Sequence, residues 1–163
     1  MDKAPSADKA TFAAGCFWGI EVAYRRLPGV TATRVGYTGG SDPNPSYESV
    51  CTGQTGHAEA VEVTFDPARI EYDDLLEVFW TVHDPTQIDR QGYDVGSQYR
   101  SAIFTHSPEQ AAAARASMAR LAAANPSPGE IATEIAPADL FHMAEDYHQQ
   151  YMEKRGRRSG GLV

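Results

Sequence analysis

The strongest constraint on how this chain folds is the run that opens at His57-Ala58-Glu59, in which Val61, Val63 and Phe65 alternate with Ala60, Glu62 and Thr64. Alternation at a period of two requires a β-strand with one face on a core, and it assigns Glu62 to solvent. Glu59 is in phase with the apolar set, so its carboxyl stands at the end of a core-facing row. Partial desolvation there raises a carboxylate's pKa, and such a group holds a proton near neutrality and can give it away. The plainer alternative is a strand-edge Glu in water or paired with a cation.

A second stretch carries chemistry of its own. Gly15-Cys16-Phe17-Trp18-Gly19 follows a short apolar strand, Ala10-Thr11-Phe12-Ala13-Ala14, and Phe17, Ile20, Tyr24 and Leu27 then recur at helical spacing. A helix therefore starts at or just after Cys16, and a thiol at that junction lies near unpaired N–H groups and the positive end of the helix dipole. That setting favours a lowered pKa and a thiolate at neutral pH. A free cysteine is more often a small core hydrophobe, but the flanking glycines leave this sulfur accessible and let another molecule approach the backbone.

The remaining elements follow in order. A strand from Val30 to about Thr38 ends at Gly39-Gly40, and a stiff polar loop, Ser41 to Ser46, delivers Tyr47-Glu48-Ser49-Val50-Cys51. A helix spans roughly Tyr72 to His83 with Leu75, Leu76, Phe79 and Trp80 as its apolar face. From Asp84 to Gln98 runs a loop with no periodic pattern, of the kind that is usually functional. Tyr99 to Thr105 is a strand, Ser107-Pro108-Glu109-Gln110 opens an alanine-rich helix to about Ala124, and Ile131 to Ile135 is a final strand. The order fits an α+β domain with a mainly antiparallel sheet, helices packed on it, and the split β-α-β plan. With no repeat and no linker, residues 1–163 read as one catalytic domain, with flexible ends at 1–8 and 156–163.

Composition excludes several classes. The net charge of −8, with no basic cluster before the tail, argues against nucleic acid and anionic membranes as partners. No apolar run is long enough to span a bilayer, and no secretion signal is recognisable, so the default compartment is the cytoplasm. Two cysteines without a C-x-x-C, and five histidines without H-x-x-x-H or H-E-x-x-H spacing, leave no expected metal site.

Taken together, Gly15-Cys16-Phe17-Trp18-Gly19, Gly36-Tyr37-Thr38-Gly39-Gly40, Pro45-Ser46-Tyr47, Thr55-Gly56-His57-Ala58-Glu59, Phe79-Trp80, His83-Asp84-Pro85, Gly96-Ser97-Gln98-Tyr99-Arg100-Ser101 and Ala144-Glu145-Asp146-Tyr147-His148-Gln149-Gln150-Tyr151 resemble the A-type peptide-methionine (S)-S-oxide reductases, the MsrA family. The resemblance implies a ferredoxin-like sandwich and reduction of the S epimer of methionine sulfoxide, in peptides and proteins, through a cysteine sulfenic acid. It makes Cys16 the nucleophile, Glu59 the acid that protonates the departing oxygen, and Tyr47 and Tyr99 hydrogen-bond donors to that oxygen. Phe17 and Trp18 become the apolar wall for the S-methyl group, and Asp94 lines the same pocket. No bound cofactor is implied; electrons come from an external thiol such as thioredoxin, glutaredoxin, glutathione or dithiothreitol, and the enzyme is expected to be a monomer.

Elementary rates show why the sulfur alone is not enough. Lowering a thiol pKa from about 8.5 to about 6 gains roughly 30-fold in thiolate but loses roughly 13-fold in nucleophilicity, a net gain of about twofold. A positioned acid contributes on the order of 10²–10⁴, so Glu59 matters as much as activation of Cys16. Phe17 lies on the apolar stripe of its helix and Trp18 about 100° off it, which makes Trp18 the better pocket candidate. Half-buried tyrosines with satisfied hydroxyls, and a turn-shaping loop aspartate, remain plainer readings of Tyr47, Tyr99 and Asp94.

The chain departs from the family pattern in its tail, where Gly156-Arg157-Arg158-Ser159-Gly160-Gly161 lacks the cysteine that many members use to resolve the sulfenic acid. Direct reduction by an external thiol is the expectation, with resolution by Cys51 as the second reading. Tyr93 and Val95, beside Asp94, also differ from residues common in the family. Outside it stand a Cys–His hydrolase using His57, and a non-catalytic binding module.

Overall fold

The computed structural model describes residues 7–124 and 130–158. In chain order the elements are β1 (Asp8–Ala14), α1 (Phe17–Arg25), β2 (Val30–Thr38), α2 (Tyr47–Cys51), β3 (Ala58–Phe65), α3 (Tyr72–Val82), β4 (Arg90–Gln91), β5 (Asp94–Val95), β6 (Ser101–Thr105), α4 (Pro108–Ala124), β7 (Glu134–Pro137), β8 (His142–Met143) and α5 (Tyr151–Arg158). Single 3-10 turns occupy Ser97–Tyr99 and Asp146–His148. The expected ends, 1–8 and 156–163, fall largely outside the described residues, although Asp8 already belongs to β1 and α5 runs to Arg158.

Six strands form one sheet in the order β7-β6-β1-β3-β2-β8, antiparallel except for the parallel β6–β7 pair, and β4 and β5 form a separate hairpin. The chain is therefore an α+β fold in which the β1-α1-β2 and β3-α3-β6 units interleave, each with a strand of the other between its own two. The alternating run becomes β3, paired with β1 on one side and β2 on the other. Its row Glu59, Val61, Val63 and Phe65 faces the main core, where Phe12 stacks on Tyr24 at 5.0 Å and meets Phe79 at 5.4 Å. α1 and α3 cover that face, and α4 packs on α3, where the Trp80 indole N–H donates to Ser117 Oγ at 2.8 Å.

Several elements differ from their sequence-based expectations. Glu62 is not in solvent. It is 5% exposed, because the second face of the sheet is closed by Ala136, Ala138 and Phe141, and Arg34 grips its carboxylate through Nε at 2.6 Å and Nη2 at 3.1 Å. The polar loop ends in a short helix, α2, started by a reciprocal capping box between Ser46 and Ser49. The irregular loop after α3 contains the β4–β5 hairpin, and Tyr99 closes a 3-10 turn rather than opening the strand. The last strand begins at Glu134, three residues late, because Ala132 N–H donates to the Pro85 carbonyl at 2.7 Å and Thr133 Oγ1 bonds Ser101 Oγ at 2.7 Å. No helix among the described residues is long and apolar enough to cross a membrane.

Phe12 ties β1 to both covering helices. Phe12→Ala should lower stability by about 3–5 kcal/mol, read as a fall in urea midpoint with an unchanged slope; a loss below about 1 kcal/mol would show that this aromatic stack is not the keystone of the core.

Candidate active site

Local backbone geometry sets the nucleophile first. Gly15 has φ +100°, and a Cβ at that position would come within 2.9 Å of Gln91, so glycine is required on two counts. Gln91 is itself tied to the Asp84 main chain, accepting from Asp84 N–H at 2.7 Å and donating to Asp84 O at 2.9 Å. The tight turn at Gly15 places Cys16 at the cap position before α1, with no side-chain cap. Of the open N–H groups of the first turn, that of Phe17 donates to Glu59 Oε1 at 3.3 Å, while those of Trp18 and Gly19 act on the Cys16 thiol by lowering its pKa. A carboxyl from the sheet and a thiol from the helix N-terminus thus meet over one turn of backbone.

Burial decides the protonation of both. Glu59 is 1% exposed, and desolvation pushes its carboxyl up to about 8, against the opposing Phe17 N–H and with help from the Asp94 charge. Desolvation likewise pushes the Cys16 thiol up to about 11; the Trp18 and Gly19 N–H groups lower it, and the charges of Glu59 and Asp94 raise it. This corrects the expectation of a thiolate at neutral pH: the helix N-terminus is present, but the loss of water outweighs it. With Glu59 protonated at pH 7, burial alone carries most of the rise. The resting site holds a neutral acid beside a neutral thiol.

The other residues singled out in the sequence converge here to different degrees. Tyr47 is the half-buried first residue of α2; burial and then the neighbouring Cys51 push its hydroxyl up to about 12. Tyr99, also half-buried, is raised by burial and by Glu59. Both tyrosines keep their protons at all working pH values. Asp94 is exposed on β5, within electrostatic reach of Cys16, Glu59 and Tyr99. Phe17 lies in the core, 1% exposed, whereas Trp18 is half-buried and stacks on Tyr151 with ring centroids 3.8 Å apart. Cys51 ends α2, exposed; burial raises its thiol pKa against the nearby Tyr47 hydroxyl, which lowers it.

A supporting layer escaped the residue-level reading, although its members lie in the motifs quoted above. Glu145 accepts from the Tyr37 hydroxyl at 2.8 Å and from Tyr47 N–H at 2.9 Å, pinning the start of α2 to β2, where Tyr37 is the cross-strand partner of Glu59. Burial works against the Glu145 charge, but these donors hold its carboxyl below the ordinary value. His148 is fully buried and its pKa is lowered by burial, so the imidazole is neutral. Its Nδ1 accepts from the Trp18 indole N–H at 2.9 Å, which puts the ring proton on Nε2, 3.9 Å from Glu145 Oε1.

His57 does not serve the thiol. Its Nδ1 accepts from Gly40 N–H at 3.0 Å and its Nε2 reaches Asp42 O at 2.7 Å, so both nitrogens hold the loop between β2 and α2. Among the described residues no group of three or more His, Cys, Asp or Glu side chains could hold a metal ion.

Comparison with known proteins places this geometry. The family model described as "Peptide methionine sulfoxide reductase" matches residues 8–160. The chain belongs to the peptide methionine sulfoxide reductase family. A peptide methionine sulfoxide reductase MsrA of Geobacter metallireducens is 57% identical over 156 residues, 96% of each chain. Among solved structures, reduced Mxr1 from Saccharomyces cerevisiae superposes with a TM-score of 0.87 at 34% identity, over 96% of this chain and 90% of that one. Mxr1 in complex with Trx2 gives 0.64 at 25% identity, over 93% and 89%.

For this family member the buried carboxyl makes stability depend on pH. Below the ordinary value of 4.5 the folded and unfolded states both hold the Glu59 proton, and the proton-linked stability is fully present. It is lost as pH rises to about 8, because only the unfolded state ionises in that window. Glu59→Gln should therefore gain stability relative to the parent between pH 4.5 and 8, approaching a few kcal/mol at the top. A stability difference that stays flat with pH would place an ionised Glu59 in the folded chain.

Proposed function

We propose that this chain reduces the S epimer of methionine sulfoxide, free or within proteins, to methionine, a repair of oxidised proteins that proceeds through a sulfenic acid on Cys16. The single observation that carries the reading is the buried Glu59 carboxyl, 1% exposed and 3.3 Å from the amide that follows Cys16. A sulfoxide sulfur is a poor electrophile until its oxygen gains positive character, and a buried acid held neutral at pH 7 supplies that proton.

The step balances within the site. The sulfoxide oxygen takes hydrogen bonds from Glu59, Tyr47 and Tyr99, and Trp18 with Phe17 receives the S-methyl group. Cys16 sulfur bonds to the substrate sulfur as the oxygen gains the Glu59 proton and then the thiol proton, and the S–O bond breaks to release water. Water then attacks the Cys16 sulfur, breaking the S–S bond to free R₂S and returning its proton to Glu59. The sum is Cys–SH and R₂S=O to Cys–S–OH and R₂S, with Glu59 protonated again. Asp94 at the rim positions substrate or water. Its charge also favours the protonated form of Glu59, so it supports the acid electrostatically.

Recycling uses an external thiol: two thiols convert the sulfenic acid to Cys16 thiol, a disulfide and water. Thioredoxin, glutaredoxin with glutathione, or dithiothreitol fit that role, and the Mxr1–Trx2 complex of a relative supports it. Cys51 is not assigned to recycling. It lies exposed at the end of α2 beside Tyr47 and is spared unless direct reduction fails. The enzyme works as a monomer in the cytoplasm without nucleic acid or membrane partners, a reading supported by its net charge of −8. A hydrolase is disfavoured because His57 is committed to its loop.

The test supplies both epimers of N-acetyl-methionine sulfoxide amide with dithiothreitol. The S epimer alone should be consumed, Cys16→Ser should be inactive, and Glu59→Gln should lose about 10²–10⁴ in kcat. Cys51→Ser should retain multiple turnovers with the same reductant. Consumption of the R epimer, or an undiminished Glu59→Gln variant, would sink the proposal.

A further inference from the structure

Glu59, Tyr47 and Tyr99 come from three separate parts of the chain, and a side chain outside these groups ties two of the three segments together. Arg100 directly follows Tyr99, with its side chain 18% exposed. Its Nη1 donates to the Ser97 carbonyl at 3.0 Å, and its Nη2 donates to the Gly56 carbonyl at 2.9 Å. Ser97 opens the 3-10 turn that Tyr99 closes, and the same carbonyl accepts the Arg100 main-chain N–H at 3.2 Å. Gly56 lies just ahead of β3, on the approach to Glu59. One guanidinium therefore braces the turn that carries Tyr99 against the entrance of the strand that carries Glu59.

Geometry, not charge, explains an arginine here. Both acceptors are neutral main-chain carbonyls, and a planar guanidinium meets two of them with donors in a fixed fork, which a lysine ammonium cannot do. The one carboxylate contact, Nε to Glu134 Oε1 at 3.5 Å, involves a side chain that is 51% exposed, and an ion pair of that kind contributes little. The end of β2 also makes way for the brace. Gly39 has φ +89°, and a Cβ there would fall 3.1 Å from Arg100 Nη2 and 2.8 Å from the Phe104 ring. Tyr47 is fastened by a different group, since its N–H donates to Glu145 at 2.9 Å.

We propose that Arg100 is a positioning residue for sulfoxide reduction: it fixes the Tyr99 hydroxyl relative to the point where Glu59 delivers its proton. The inference rests on the reductase reading above, with Tyr99 as a donor to the sulfoxide oxygen, and adds to it the residue that sets where that donor stands. Arg100 serves Tyr99 and not Tyr47, because the two tyrosines are anchored independently.

The test reads a single turnover, the rate of methionine formation from the S epimer of N-acetyl-methionine sulfoxide amide without reductant, so that recycling does not enter. Arg100→Lys keeps the charge but cannot hold both carbonyls in one fork. It should lower the rate at saturating substrate by about ten- to a hundredfold while the half-saturating concentration stays within about twofold. On a Tyr99→Phe background the same change should cost less than about threefold, because the hydroxyl it places is already gone. On a Tyr47→Phe background it should keep its full effect, and Glu134→Gln, which removes only the ion pair, should leave the rate unchanged. If Arg100→Lys does not fold, Arg100→Gln is read in the same backgrounds. An equal cost in the parent and both tyrosine backgrounds would show a general loosening and overturn the proposal. So would an Arg100→Lys rate equal to the parent's, or a Glu134→Gln variant as slow as Arg100→Lys. If the folded parent forms no methionine at all, the reductase reading falls, and the role of Arg100 falls with it.

Discussion

The site depends on one contact, the Glu59 carboxyl held against Phe17 N–H beneath the first turn of α1. It places the end of a core-facing sheet row directly under the start of a helix, so acid and thiol share one water-poor volume. The same burial that keeps the Glu59 proton in place raises the Cys16 thiol, and neither group is charged at rest. In the proposed mechanism reactivity belongs to the pair: the sulfur becomes a nucleophile only as the oxygen of a bound substrate removes the Glu59 proton. A thiol kept neutral this way is also protected from indiscriminate oxidants, because the thiolate is the reactive form.

Around that contact, a second layer fixes the walls. Glu145 joins Tyr37 on β2 to the first N–H of α2, and so sets where Tyr47 stands relative to Glu59. His148, buried and neutral, holds the Trp18 indole and is wrapped by Phe17, Tyr47 and Tyr147. These groups come from the stretch between β8 and α5, and Asp94 comes from the β4–β5 hairpin, so two segments far apart in the chain supply the surroundings of Cys16 and Glu59.

Much of this was readable from residues alone, for reasons that can be named. The alternation from Glu59 to Phe65 fixed which face of β3 meets the helices, and glycine-flanked Cys16 marked the turn into α1. Glu62 shows the limit of that logic. Period two tells which residues share a face but not whether the second face is covered, and here Phe141 and Arg34 cover it. The thiol meets a similar limit: a helix N-terminus is visible in sequence, whereas desolvation depends on what packs over it. Helix α2 and strand β8 are too short for any periodicity, and the hairpin after α3 pairs only two residues on each side. The family motifs carried Tyr47, Tyr99 and Asp94 to the site where residue patterns alone left them open. The Glu145–His148 layer lay inside a quoted motif, yet its partners are separated from it by about a hundred residues of chain.

The neutral pair can be measured directly. In the Cys51→Ser chain, with Cys16 the one remaining thiol, thiolate absorbance and the ¹³C shift of the Glu59 carboxyl are followed together against pH. The carboxyl should titrate near 8 while the sulfur stays protonated past pH 9. A Cys16 thiolate already formed at pH 7 beside an ionised Glu59 would show that water reaches the pair and that proton delivery from a buried acid is not how this site works.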